Sequence, residues 1–456
     1  EIVRLGAANL LILNQKKQIE VNETYWVPRF YNGDFQDEII LEKLKSVWKV
    51  IFNDIKKYTQ GGEVVCPISA GLDSRAILGE LAKCVDLKKI NTFTFSLPKK
   101  LELKIAKKVV RYLGLKPLHK TLTINIKDLN NKEEFLNVAE THDYQIWNTP
   151  YVPSSLIKSI SDKSIFFVSG FGGDPLMGSH FVDSSVDLVS YLYKKYACLT
   201  NEEVEYLASR FSIDVKEDLK KEVNKYLAID RDSAFDSWYM FQRNTNMSQY
   251  GVLGYQDKFR VISPFLDSRL FDVVQLMTPK QRKGRSLFLK AMKEMYGDLF
   301  YIESSAQRSF HNRLRFNFER ALAVVGRRLF GHSIVRNSFD YKPDLNDLYR
   351  DSEKFRNIIN INIQALVKQG IVEEMFVNNI RDSVLSGRRD GPGGRIRNGG
   401  LRCRRFRRAC PSAKAPDRPL LVARRGAARG AWACGGAGAA VGAAHRGGDG
   451  RAQALL

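Results

Sequence analysis

Ser69-Ala-Gly-Leu-Asp73-Ser74 is the part of the sequence in which residue types and spacing most directly suggest chemistry. It follows a short, mostly apolar run, Val64–Ile68, and opens a helix-forming run, Ser74–Cys84. Small residues let successive backbone N–H groups close on an anion, and Ser69 and Ser74 add hydroxyl donors. The helix that follows aims the positive end of its dipole at the same point. Such a loop is a pyrophosphate cradle. No Gly-Lys-Ser/Thr follows, so it differs from the Walker loop, and γ-phosphate transfer is not expected. Asp73 stands where a carboxylate would hold Mg2+ against phosphates. The same residues also suit an ordinary strand–turn–helix connection with a Ser/Asp cap. A second glycine-rich loop, Ser169-Gly-Phe-Gly-Gly-Asp174-Pro-Leu-Met-Gly178, follows another apolar run and brings a second acid. Read alone, it equally describes a flexible turn.

The elements that must position these loops can be read from periodicity. Residues 8–27 read as a hairpin turning at Asn14–Lys17, and Gln36–Tyr58 as an amphipathic helix with Ile39, Ile40, Leu44, Val47, Trp48, Ile51 and Ile55 on one stripe. Strands are expected at Val64–Ile68, Asn91–Phe95, His119–Ile124 and Ser164–Val168. Helices Ser74–Cys84 and Glu102–Leu113, and segments near 132–140 and 154–161, alternate with them. Strands separated by helices imply right-handed crossovers and a parallel sheet, whose ligands bind beyond the carboxyl ends of the strands. Both loops fall there. Pro67 fits poorly in a central strand but sits at its end. From about residue 185 to 386 the chain reads as mostly helical. The fold class is therefore α/β, with helices on both faces of a parallel sheet and a helical region after it.

The 456 residues, 44% hydrophobic and 27% charged, exclude a disordered or fibrous chain. No apolar run is long enough to span a membrane, so a cytoplasmic location is expected. The formal charge of +22 is unevenly placed: Gly387–Leu456 holds 15 Arg and 1 Lys against 3 Asp. Lys, Ile, Asn, Phe and Tyr give way there to Arg, Gly and Ala, as if AT-rich codons gave way to GC-rich ones. Residues 387–456 are therefore expected to be disordered or non-native: a frameshift, a read-through or a cloning scar. The rival reading is an Arg/Gly arm for nucleic acid or a membrane surface. The rest of the chain has no dense basic stripe, which argues against a nucleic-acid partner. Cys66, Cys84 and Cys198 are isolated and read as buried thiols, and no histidine pattern suggests zinc.

The stretch SAGLDSRAIL resembles the SGGxDS loop of ATP pyrophosphatases, and its flanks resemble the synthetase domain of asparagine synthetases, a fold of the adenine nucleotide alpha hydrolase-like type. Thr94-Phe-Ser-Leu97, Ser169–Gly178 and Ser263-Pro-Phe-Leu-Asp267-Ser-Arg-Leu270 agree with that family in order and spacing. Residues 1–30, ending near Tyr25-Trp26-Val-Pro28, are similar to the last strands of its glutaminase domain, so a remnant of that domain is expected before a synthetase-like domain over 31–386. The resemblance implies that Ile68 and Leu97 flank an adenine, that Ser69, Gly71, Asp73 and Ser74 hold phosphates, and that Ser169 and Gly170 complete the nucleotide site. It implies that Asp73 and Asp174 share Mg2+. ATP is the implied co-substrate: a small-molecule carboxylate is adenylated with loss of pyrophosphate, then attacked by ammonia, glutamine-derived nitrogen or an amine. A homodimer is compatible with it.

Departures narrow the reading. Ala70 replaces a family glycine. Phe171 stands where asparagine synthetases carry Glu, Pro175 where Glu usually follows the loop acid, and Arg260 where Glu precedes PFLD. No R-x-K-x-G-F run follows Tyr296. Arg308 is the nearest cation and is taken as the phosphate-neutralising catalytic residue, with Lys290 read as a helix-surface lysine. Asp267 reads equally as functional or as a helix cap. The amino-terminal cysteine that serves the family as glutaminase nucleophile is missing, so truncation of that domain or another nitrogen source is expected. Rival readings are an enzyme that amidates a surface-sugar acid or closes a peptide ring, an RNA-modifying ATP pyrophosphatase, and a catalytically silent binding module.

Overall fold

The computed structural model describes residues 8–26, 35–96, 100–123, 165–305 and 349–385, apart from residues 17, 180–181, 197–198, 250–251, 253–254, 257 and 351, together with a few positions between 314 and 322. Backbone contacts separate residues 1–397 from 398–456, and all the described residues belong to the first of these units. The expected helices near 132–140 and 154–161, Cys198 and the Arg/Gly/Ala-rich tail lie outside the described residues.

The hairpin forms from β1 (Asn9–Leu13) and β2 (Ile19–Thr24), paired antiparallel. Asn14 turns it, because its side-chain carbonyl accepts the N–H groups of Lys16 and Gln18 at 2.9 and 3.0 Å. Helix α1 (Asp37–Thr59) buries Ile40, Leu44, Trp48, Ile51 and Ile55 of the expected stripe and adds Leu41 and Phe52, while Val47 is partly buried and Ile39, at the first turn, is exposed. Asp37 and Glu38 open it and Lys56 and Lys57 close it, each matched in sign to the helix dipole.

The central sheet has the order β5-β4-β3-β6-β7 and is parallel throughout. Its strands are β3 (Val64–Pro67), β4 (Ile90–Ser96), β5 (His119–Thr123), β6 (Phe166–Val168) and β7 (Arg260–Ile262). Helix α2 (Asp73–Cys84) links β3 to β4, and α3 (Leu101–Tyr112) links β4 to β5. The chain then crosses to the other side of β3 to add β6. The switch point of the topology therefore lies between β3 and β6, the place where such sheets take ligands. The fifth strand corrects the sequence reading. Arg260–Ile262 falls in the region expected to be helical, and three residues are too few to show a period-two pattern.

Val64, Cys66, Phe166 and Val168 point into the main core with α1, α2 and α3. The other face carries Val65, Phe93 and Phe167, covered by Tyr255 and Phe259. Each fully buried large apolar side chain contributes about 1.5–3 kcal/mol. One polar chain crosses this core: Trp48 Nε1–H donates to the Tyr296 hydroxyl at 2.8 Å, and that hydroxyl donates to Glu80. It joins α1 and α2 to the helix Ser286–Tyr296.

Beyond β6 come α4 (Gly173–Leu176), α5 (Leu188–Tyr196), α6 (Asn201–Phe211), α7 (Val215–Leu227) and α8 (Ala234–Trp238). A π-helix over Tyr239–Ser248 continues α8. After β7 follow α9 (Ser268–Val274), α10 (Pro279–Arg282), α11 (Ser286–Tyr296), α12 (Glu353–Lys368) and α13 (Glu374–Leu385). No helix among the described residues is long and apolar enough to cross a membrane.

Candidate active site at the sheet's switch point

The first loop runs from Ile68 to the start of α2, and its backbone donors are satisfied from close by. Ser69 N–H reaches Ser74 Oγ at 3.2 Å, Gly71 N–H reaches Ser69 Oγ at 3.0 Å, and the two hydroxyls stand 3.1 Å apart. Ala70 N–H donates to Glu102 Oε1 at 2.8 Å. Glu102 is only 9% exposed; burial raises its pKa, and the Ala70 N–H opposes the rise. Ala70 is not among the positive-φ positions, so its methyl fits where a glycine was expected. Gly71 is needed for approach: a Cβ there would meet Ser69 Oγ at 2.9 Å.

Below the loop, Ile68 is 2% exposed, and its carbonyl accepts the Thr94 hydroxyl at 2.7 Å. Its side chain belongs to the core. Ser96, at the carboxyl end of β4, is fully buried, and its hydroxyl makes no hydrogen bond among the described residues. Leu97, the other residue expected beside an adenine, lies outside the described residues.

The second loop is fixed at its base by Ser169, whose N–H donates to the Ile262 carbonyl at 2.8 Å. The hydroxyl of Ser169 accepts the Phe171 N–H at 3.2 Å. Its glycines touch the first loop directly. A Cβ on Gly170 would lie 3.3 Å from both Asp73 Cβ and Ser74 N, and one on Gly173 only 2.6 Å from Asp73 Cγ. The two loops thus meet where the sequence placed their acids.

A single cation joins those acids. Arg285 forms ion pairs with Asp73 and, at 3.2 Å, with Asp174. Arg285 is 7% exposed, adopts a left-handed backbone conformation (φ 64°) and stands over the Phe288 ring at 5.2 Å. The Asp73 side chain is 16% exposed and that of Asp174 56%. Burial pushes the Asp73 carboxyl up to about 7; Arg285 works against that shift and the Asp174 charge adds to it. A resident positive charge keeps two converging carboxylates tolerable.

Among the described residues no group of three or more His, Cys, Asp or Glu converges as a metal cage. Asp73 and Asp174 nevertheless fit Mg2+, which takes one or two carboxylates and completes its shell with phosphate oxygens and water. Both already face one cation, and the cost of burying ionised Asp73 is what a divalent ion would relieve.

Several sequence expectations change or are resolved here. Asp267 is the N-cap of α9, accepting the Arg269 N–H at 3.0 Å and pairing with the Arg269 side chain at 2.7 Å. Lys290 is on the surface, 3.7 Å from Glu38. Arg260 opens β7, exposed, with its guanidinium 6.0 Å from the Phe166 ring centre. Arg308 lies outside the described residues, and the cation found at the acids is Arg285.

Residues 299–305 close the site from the far side. Arg75, fully buried on α2, donates to the carbonyls of Leu299, Ile302 and Glu303. Ser305 N–H donates to the Ala70 carbonyl at 3.0 Å. Sequence reasoning missed Arg285, Glu102 and Arg75. An acid or arginine in the first turn of a helix reads as surface charge, and only the contact across the fold shows otherwise.

No curated protein matches the sequence significantly. The profile of the asparagine synthase family matches residues 56–295, just over half of the chain. That span holds both loops, all five strands of the central sheet and Arg285, and the chain belongs to the asparagine synthase family.

Proposed function

We propose that the protein is an ATP-dependent amide ligase that joins nitrogen to a small-molecule carboxylate through an acyl-adenylate. The family match supports an ATP-dependent ligase of this general kind. The observation that carries the reading is the convergence of Asp73 and Asp174 on one cation at the switch point of a parallel sheet.

In this reading the phosphates enter above α2, whose amino terminus favours negative charge. The hydroxyls of Ser69 and Ser74 now accept loop N–H groups. They release them to the incoming phosphate oxygens and turn their own protons toward the nucleotide. Ile68, Ser69, Gly71, Asp73, Ser74, Ser169 and Gly170 then form the nucleotide site. Mg2+, held by Asp73 and Asp174, would neutralise β- and γ-phosphate charge and make pyrophosphate a better leaving group. Arg285, relieved of one or both acids, turns its charge to the phosphates. A carboxylate oxygen attacks the α-phosphorus while the bond to pyrophosphate breaks. Ammonia or an amine then attacks the acyl carbon and loses a proton, and AMP leaves with the bonding pair. Ammonia drawn from glutamine would have to be supplied from outside the described residues.

Phe171 favours an acid other than aspartate as substrate. It offers neither charge nor hydroxyl where the family carries Glu, and Arg260 brings no carboxylate in its place. A sugar acid or a peptide carboxylate is the leading candidate class. ATP–pyrophosphate exchange across a panel of carboxylic acids tests the proposal. Acid-dependent exchange is the expected result; no exchange with any acid, and no binding of Mg2+–ATP, would leave a silent relative.

A further inference from the structure

Asp236 on α8 and Arg282 on α10 form an ion pair of 3.0 Å, each side chain only 2% exposed. Arg282 Nη2 also lies 3.3 Å from the carbonyls of Pro175 and Leu176. Those residues end α4, the single-turn helix that carries Asp174. Just past the same end of α4, Gly178 has φ 82°, and a Cβ there would lie 2.4 Å from the Arg282 carbonyl. Gly284 and Arg285 follow, both left-handed at φ 62° and 64°, and Arg285 reaches the two acids.

We infer that the Asp236–Arg282 pair is a positioning strut: it touches no substrate, but fixes α4 and the 282–285 turn so that Asp174 and Arg285 face Asp73. The inference rests on the proposed reading of Asp73 and Asp174 as the Mg2+–nucleotide acids.

Stability alone does not account for the pair. Burial pushes Asp236 up to about 6 and lowers the Arg282 pKa, so ionising both is costly here. Apolar residues of similar volume commonly replace such buried pairs at little cost. Beside the pair lies a space of about 10 Å³ lined by Leu176, Met240, Phe271 and Val274. That is room for no more than about one water. An apolar pair could fill the place but could not donate N–H groups to the carbonyls of Leu176 and of Pro175, which the Gly178 N–H also reaches at 3.3 Å. A guanidinium can, and Asp236 holds it in register.

The test is the double variant Asp236→Leu with Arg282→Met, which removes both charges together. It should fold with a melting temperature near that of the parent. Amide exchange at Met177 and Ser179, which donate to the carbonyls of Gly173 and Asp174, should accelerate. The Mg2+ concentration needed to bind ATP should rise by about tenfold or more, the usual cost of losing a supporting partner of a metal ligand. Binding of metal-free ATP should weaken less than binding of Mg2+–ATP, because the hydrogen bonds within the first loop do not pass through the strut. A folded double variant with unchanged exchange and unchanged Mg2+ dependence overturns the inference. If the double variant fails to fold, Asp236→Asn keeps the volume but removes the charge that faces the guanidinium, and unchanged exchange there overturns it equally. A parent that binds no Mg2+–ATP would defeat the proposed function, while the exchange measurement would still decide the strut.

Discussion

Ser69, Ala70 and Gly71 hand their N–H groups to Ser74, Glu102 and Ser69, whereas the second loop leans on Arg282, more than one hundred residues further along the chain. The N–H groups of the first loop find acceptors no more than 32 residues away, although residues 299–305 fasten its carbonyl side. The second is placed by a distant clamp, and its acid, Asp174, is the more exposed of the two. Changes in the first loop should therefore act at once on nucleotide binding. Changes around the second should act mainly on metal dependence.

Asp73→Ala should have the largest effect. It removes the acid that both loops enclose, and Mg2+–ATP affinity should fall at least about 100-fold, matching about 3 kcal/mol for a charged contact. Calorimetric titration measures it, and an unchanged affinity would take the first loop out of the site. Gly173→Ala comes next. Its methyl would intrude on Asp73 Cγ at 2.6 Å, and overpacking of that kind costs about 1–3 kcal/mol. Both nucleotide affinity and the denaturation midpoint should drop; if only stability moved, the glycine would serve the fold and not the acids.

Glu102→Ala strands the buried Ala70 N–H, a loss of about 1–3 kcal/mol that Glu102→Gln should largely restore. Urea denaturation separates the two variants, and equal losses would mean that the carboxylate charge matters more than its hydrogen bond. A pH effect of at most about 4 kcal/mol should follow, at about 1.4 kcal/mol for each pH unit between the two values. Asp73 binds its proton more tightly in the folded protein, at about 7 against 3.8 unfolded. Its contribution favours the fold below about pH 4 and declines as pH rises toward 7. Asp236, raised to about 6, slopes the same way, so Asp73→Asn should remove part of the slope and not all of it. Cations select the ionised acid, and Mg2+ dependence should ease as pH rises through 7. Least of all, Lys290→Ala should shift stability by no more than about 0.5 kcal/mol and leave binding alone, since its partner Glu38 is exposed.

What could be read from sequence was whatever is contiguous. Residues 69–74 carry their strand, turn, donors and helix start within a dozen positions, and α1 declares its buried face by spacing alone. Asp73 and Asp174 were both visible because each ends a strand-and-glycine pattern. Arg285 was not: it lies more than 200 residues from Asp73 in a turn whose left-handed backbone no pattern announces. Asp236 and Arg282 look like ordinary helix-surface charges until α4 is packed between them and the acids. Strand β7 hid for a different reason. Its three residues owe their conformation to pairing with β6, and Asp267 beside it turned out to cap a helix.

Arg75 and Ala70 are held by the stretch 299–305, more than 220 positions downstream. On a ribosome adding about 5–20 residues per second, that belt emerges roughly 10–50 s after the turn it secures. Throughout that interval a buried guanidinium waits without its carbonyls. The nascent polypeptide should be most vulnerable to proteases and most dependent on chaperones in just this window. A stalled synthesis ending near residue 295 should yield a sheet whose first loop is unfastened.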